Sequence, residues 1–186
     1  MAFFERTKIT AKDVVLAFTL GVTAASAYAG AEKLIDVVMA KKTQRWEQRV
    51  SLAKQHQTDV QRVQRQVESA VGLLQKAEEK RLAADQAQKK GDFATALKQC
   101  ERALRDRQAA VALLQDLDLD KAQNELQRLR QLADPDDQAL LSDLEQLLKR
   151  TREQQADLLD TAQKTSALLE EKINELRIKI AFKKKK

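Results

Sequence analysis

Val60-Gln61-Arg62-Val63-Gln64-Arg65-Gln66-Val67-Glu68-Ser69-Ala70-Val71-Gly72-Leu73-Leu74-Gln75-Lys76-Ala77 carries Val60, Val63, Val67, Ala70, Leu74 and Ala77 at alternating steps of three and four. A repeat near 3.5 residues lays these side chains along one stripe of a helix, and a narrow apolar stripe needs a second helix to cover it. The same steps lead back through Trp46, Arg49, Ala53 and His56, and forward through Arg81 and Ala84, with weaker apolar character. This predicts one long helix running from the N-terminal segment to about Lys89.

Two interruptions follow. In Lys89-Lys90-Gly91-Asp92 the glycine can close one helix and the aspartate can cap the next. In Asp134-Pro135-Asp136-Asp137 the proline ends a helix and suits the first turn of another, with acids near its N-terminus. The second helix offers Leu97, Cys100, Leu104, Val111 and Leu114, then Leu119, Ala122, Leu126 and Leu129. The third offers Leu141, Leu144, Leu148, Leu158, Ala162 and Leu169, then Ile173, Leu176 and Ile180 after a shift of register. Helices of roughly 55, 40 and 45 residues would run about 80, 60 and 70 Å. Short breaks favour folding back on a neighbour. The expected fold is all-α: a single N-terminal transmembrane helix followed by an elongated antiparallel three-helix coiled coil.

Composition agrees. Four glycines and one proline in 186 residues leave little material for hairpins, and aromatic residues make up only 4%. Straight-chain residues dominate, and these lose little rotamer freedom in helices. Cys100 is the only cysteine and cannot form an internal disulfide. The net charge of +6 is concentrated at one end. Residues 173–186 hold six Lys or Arg against Glu175 alone, so their +5 leaves +1 for the rest. A nearly neutral rod with a basic end does not read as a nucleic-acid binder.

Lys90 to Leu104 resembles the turn and second helix of a tetratricopeptide or microtubule-interacting-and-transport hairpin. The likeness lies in Gly91, Phe93, Ala96, Ala103 and Leu104. It implies a helical hairpin with close approach at the small residues. The following helix is too long for a tetratricopeptide unit, its closing proline is missing and no second copy occurs, so no peptide-binding array is expected.

Residues 14–31 contain no charge, following a short segment 1–13. Eighteen residues lie near the lower limit for crossing a bilayer core of about 30 Å. The leading reading is a retained membrane anchor carried by Val14, Val15, Leu16, Phe18, Leu20 and Val22. Ala17, Gly21, Ala25 and Ala29 recur every fourth residue, a small-residue strip suited to helix association in lipid. A cleaved secretory signal is a second reading, because Ala25-Ser26-Ala27 and Ala27-Tyr28-Ala29 fit the cleavage pattern. A buried helix of a soluble bundle is the third. Three Lys or Arg precede the segment and five follow within twenty residues, which keeps the body (32–182) cytoplasmic.

The end of the chain combines Ile173, Leu176, Ile180 and Phe182 with Arg177, Lys179 and the tail Lys183, Lys184, Lys185 and Lys186. A basic helix with an apolar side suits anionic lipid headgroups or an acidic partner. Catalytic signatures are missing. His56 has Asp59 and Glu47 nearby but no convergent ligand set, and Cys100 falls on the apolar stripe. Asp116-Leu117-Asp118-Leu119-Asp120 begins like a calcium loop, but Lys121 and Gln127 stand where glycine and glutamate are needed, so a loosened turn or acidic surface is expected. The expected function is a non-enzymatic membrane-anchored scaffold or tether with no metal, cofactor or small-molecule substrate. It would act on membrane lipid, further copies of itself or a helical protein partner. The alternatives are a membrane-shaping coiled coil, BAR-like or phage-shock-like in outline, and a secreted or periplasmic helical adaptor.

Overall fold

The computed structural model describes residues 2–40, 46–133 and 135–183. Among these there is no strand. Five α-helices follow one another: α1 Ala2–Ala40, α2 Trp46–Lys89, α3 Phe93–Gln115, α4 Leu119–Leu132 and α5 Gln138–Lys183, with a 3-10 turn at Pro135–Asp137. The chain forms two compact units. One gathers Met1–Phe18, Ser69–Gln115 and Asp157–Lys186; the other gathers Thr19–Glu68 and Asp116–Ala156. Each unit therefore draws on four helical segments, and α1 contributes to both.

The expectation was a span followed by a three-helix body; here α1 also lends side chains to the interior of both units. Asp13, Ala17, Leu20, Ala24, Ala27, Ala31, Leu34 and Val38 are all buried, again at steps of four and three. In the first unit Asp13 is ion-paired with Arg107 of α3. In the second, the Thr23 hydroxyl donates to Gln154 Oε1 of α5 at 2.6 Å. Gly30 lies so near α5 that a Cβ there would stand 2.6 Å from Leu144 Cδ2.

The Trp46 indole N–H donates to the Val38 carbonyl at 3.0 Å. The expected continuous helix from the N-terminal segment into α2 passes through residues 41–45, which lie outside the described residues.

On α2 the seam residues fall where the repeat puts them. Arg49, Ala53, His56, Val60, Val63, Val67, Ala70, Leu74, Ala77, Arg81 and Ala84 are buried, and Trp46 is half-buried. At the α2 end, Asp92 N–H donates to Ala87 O at 3.0 Å and Gly91 N–H to Gln88 O at 3.0 Å. Gly91 has φ +76°, the left-handed conformation that this double-bonded helix stop requires. Asp92 Oδ1 then accepts from Thr95 N–H at 3.0 Å and starts α3.

The α3 seam differs from expectation. Ala96, Cys100, Ala103, Arg107, Ala110 and Leu114 are buried, whereas Leu97, Leu104 and Val111 are only half-buried. The small residues face inward and the larger ones line the rim, which permits close helix approach. Asp116-Leu117-Asp118 is a break between α3 and α4, where Asp118 Oδ1 accepts from Lys121 N–H at 3.2 Å. On α4 and α5 the expected seam residues are buried except Ile180, which is half-buried.

Candidate functional site

Three buried polar groupings interrupt the apolar seams. Asp13 and Arg107 are both fully buried, and burial lowers the Arg107 pKa to about 10. Asp13 Oδ1 and Arg107 Nε and Nη2 lack hydrogen-bond partners. Arg49 and Asp137 form a second buried pair, joining α2 to the turn before α5. Sequence reading missed Asp13, Arg107 and Asp137 as interior residues. The available signal was their spacing: Arg107 stands four after Ala103, and Asp13 stands four before Ala17.

The third grouping lies between α2 and α4. His56 Nδ1–H donates to the Ala122 carbonyl at 3.1 Å, while Nε2 has no partner. Burial pushes the His56 pKa down to about 4, so the ring is neutral. Glu125 is 3% exposed, with its carboxyl group beside that of Asp59. Burial first, and then the hydrogen bond and charge of Asp59, raise its pKa to about 7. Asp59 also receives Lys121 Nζ at 3.1 Å and Arg62 at 3.1 Å. Near neutral pH Glu125 therefore retains its proton for much of the time. No set of three or more potential metal ligands occurs among the described residues.

Two of the three acids of the calcium-like stretch serve the fold: Asp118 caps α4 and Asp120 pairs with Arg152. Cys100 is buried among Ala84, Ala96, Ile173 and Leu176, and burial raises its thiol pKa. An open groove of about 870 Å³ in the second unit is lined by long polar side chains, including Gln127, Arg130, Glu145 and Arg152. Arg130 and Glu145 neutralise each other across it at 2.9 Å.

No family model, curated protein or solved structure matches the chain. Its exposed surfaces and buried charges are what bear on function.

Lys12–Ala40 of α1 is long and apolar enough to cross a membrane. Of the expected anchor residues, Val15, Phe18 and Val22 are exposed, Val14 and Leu16 are half-buried, and Leu20 is in the seam. The small-residue strip does not share one environment. Ala17 is buried, Gly21 half-buried, and Ala25 and Ala29 exposed. Each step of four turns the strip about 40° further around the helix, carrying it from seam to outer face.

At the end of α5, Ile173 and Leu176 belong to the core. Ile178 and Phe182 instead point outward, 56% and 70% exposed, beside exposed Arg177, Lys179 and Lys183. Arg177 reaches Glu101 at 2.9 Å, and Lys183 Nζ lies 5.8 Å from the Phe93 ring centre. Lys184, Lys185 and Lys186 lie outside the described residues.

Proposed function

We propose that this chain is a non-enzymatic, membrane-attached coiled-coil scaffold or tether. The observation that carries the membrane part is the end of α5. Lysines alone would suit the negative pole of a helix C-terminus. That accounts for neither Ile178 nor Phe182, whose outward apolar surface would gain from entering a lipid headgroup layer. Each lysine near an anionic bilayer adds about 1 kcal/mol.

The scaffold part draws on the steps of four and three in the buried residues of α1, α2 and α5. Antiparallel packing of α2 against α4, and of α1 against α5, is supported by contacts whose residue numbers rise on one helix as they fall on the other. His56 and Asp59 meet Ala122 and Lys121; Thr23 and Gly30 meet Gln154 and Leu144. A non-catalytic role is supported by the enclosure of His56 and Cys100 in the packing.

Single-pass anchoring by α1, with the body cytoplasmic, is the second reading, favoured by the apolar length of Lys12–Ala40. It requires α1 to leave its seam and strand Arg107 without Asp13. Vesicle flotation, carbonate extraction and N-terminal mass determination on one preparation separate the readings. Attachment through α5 predicts flotation with anionic vesicles, release by carbonate, and loss of flotation on I178S/F182S. Resistance of the intact chain to carbonate would move the anchor to α1. A soluble chain beginning near Tyr28 or Gly30 would replace both with an exported adaptor.

A further inference from the structure

The outer side of α1 has the spacing of a second seam. Phe18, Val22, Ala25 and Ala29 are exposed at steps of four, three and four, with Val15 three residues before them. Val15, Phe18 and Val22 are 63%, 52% and 65% exposed. Outside Leu82 and the end of α5, the outward faces of α2 and α5 are mostly charged or polar: α2 exposes Glu47, Lys54 and Arg62, and α5 exposes Lys149, Glu153 and Lys164. On α1 no charge interrupts residues 14–31.

We infer that this outer face of α1 packs antiparallel against the same face of a second copy of the chain. The order of sizes and charges along the helix selects that occupant. Large residues, Phe18 and Val22, come first, and small ones, Ala25, Ser26 and Ala29, come after. Antiparallel pairing with Val22 opposite Ala25 of the copy also places Phe18 opposite Ala29, so bulk meets space twice about a two-fold axis. In the same register Lys12 comes level with the segment holding Glu32 and Asp36 of the copy, with Lys33 at the rim. Lys12, Glu32 and Asp36 are all exposed. Parallel pairing would set Lys12 against Lys12 and Glu32 against Glu32. A lipid environment would satisfy the apolar residues but has no use for the charge match, so the ends of the stripe distinguish a second copy from a bilayer.

Sedimentation of the full-length chain in buffer tests this, with circular dichroism as a control for folding. The expected result is a dimer that V22E converts to a helical monomer. K12E should weaken association about tenfold, and the triple change K12E/E32K/D36K should restore it. A cysteine pair adds the orientation: with Cys100→Ala in both chains, F18C should cross-link to A29C in a mixture and poorly to itself, since the two copies of residue 18 lie about 16 Å apart along the helix in this register. A monomeric wild-type chain, a dimer indifferent to V22E, or cross-linking of F18C mainly to itself would overturn the inference. So would loss of binding to neutral vesicles on V22E with no effect of the charge reversal, which would make lipid the occupant. None of these outcomes depends on the α5 end, whose role is read separately by I178S/F182S.

Discussion

His56 and Glu125 sit in one cluster but bias the pH dependence of folding in opposite directions. The unfolded chain takes a proton on His56 near 6.5, the folded chain only near 4. Between those values the unfolded state holds more protons, so this group's contribution to stability is present above pH 6.5 and is lost as pH falls towards 4. Glu125 shifts the other way, from 4.5 to about 7. There the folded state holds more protons, and the contribution is present below pH 4.5 and lost as pH rises through 7. A shift of that size corresponds to about 3 kcal/mol for the enclosed histidine. For Glu125 the figure is no more than about 3 kcal/mol, reduced to the extent that water and the Lys121 and Arg128 charges reach the carboxylate. From pH 4.5 to 6.5 the two slopes oppose, and their sum is nearly flat. Replacing one group should expose the other. H56Q, whose amide can still donate to the Ala122 carbonyl, should become less stable relative to wild type as pH rises from 4.5 to 7. E125Q should gain on wild type over the same rise. Urea unfolding of wild type and both variants at pH 4.5, 5.5, 6.5 and 7.5, followed by circular dichroism, gives the differences; other carboxylates cancel in the subtraction. If the three curves of stability against pH run parallel, the cluster does not titrate as argued.

Asp13→Ala should destabilise the chain by about 3–5 kcal/mol, since it leaves Arg107 charged and buried, whereas D13L/R107M should recover most of that loss in the same urea assay. Gly91→Ala should cost about 1–2 kcal/mol, because a Cβ meets no neighbouring atom but must adopt φ +76°; a melting temperature unchanged from wild type would remove Gly91 as the cause of the turn. Leu74→Ala, at a fully buried seam position, should cost about 2–5 kcal/mol, while Leu82→Ala on the exposed side of the same helix should change the urea midpoint little.

The legible parts of the fold are those where large apolar residues alternate with polar ones. Val60 to Ala77 could be phased because Gln, Arg and Glu mark the outside of α2. In α1 the whole of residues 14–31 is uncharged, so hydropathy alone could not tell the buried face from the exposed one. Asp13 was the missing marker, read as the end of an apolar segment when it is a member of its seam. In α3 the rule that larger apolar side chains lie deepest misled: Leu97, Leu104 and Val111 were preferred to Ala96, Ala103 and Ala110, which close approach of a neighbour buries instead. At the chain end, hydropathy grouped Ile173, Leu176, Ile180 and Phe182 together, although the first two are core and only Phe182 is exposed. Ile178, the apolar residue one turn before Phe182, was not singled out.

A seam built largely from alanine creates a problem that the buried ion pair addresses. Ala17, Ala24 and Ala31 recur every seven residues, so sliding α1 by seven leaves those contacts alike and costs packing only where Leu20, Ala27, Leu34 and Val38 change size. Sliding Asp13 away from Arg107 is different, because it leaves two charges enclosed without each other. Leucines packed at the same two positions would hold the helix at least as strongly, but would not distinguish one heptad from the next. A single polar position can fix register in this way at some cost in stability. The register of α1 in turn sets which of its residues face outward. Phe18, Val22, Ala25 and Ala29 share the outer stripe only because Asp13, Ala17, Leu20 and Ala24 share the inner one, so the charge least compatible with a buried seam determines the surface that α1 offers to a partner.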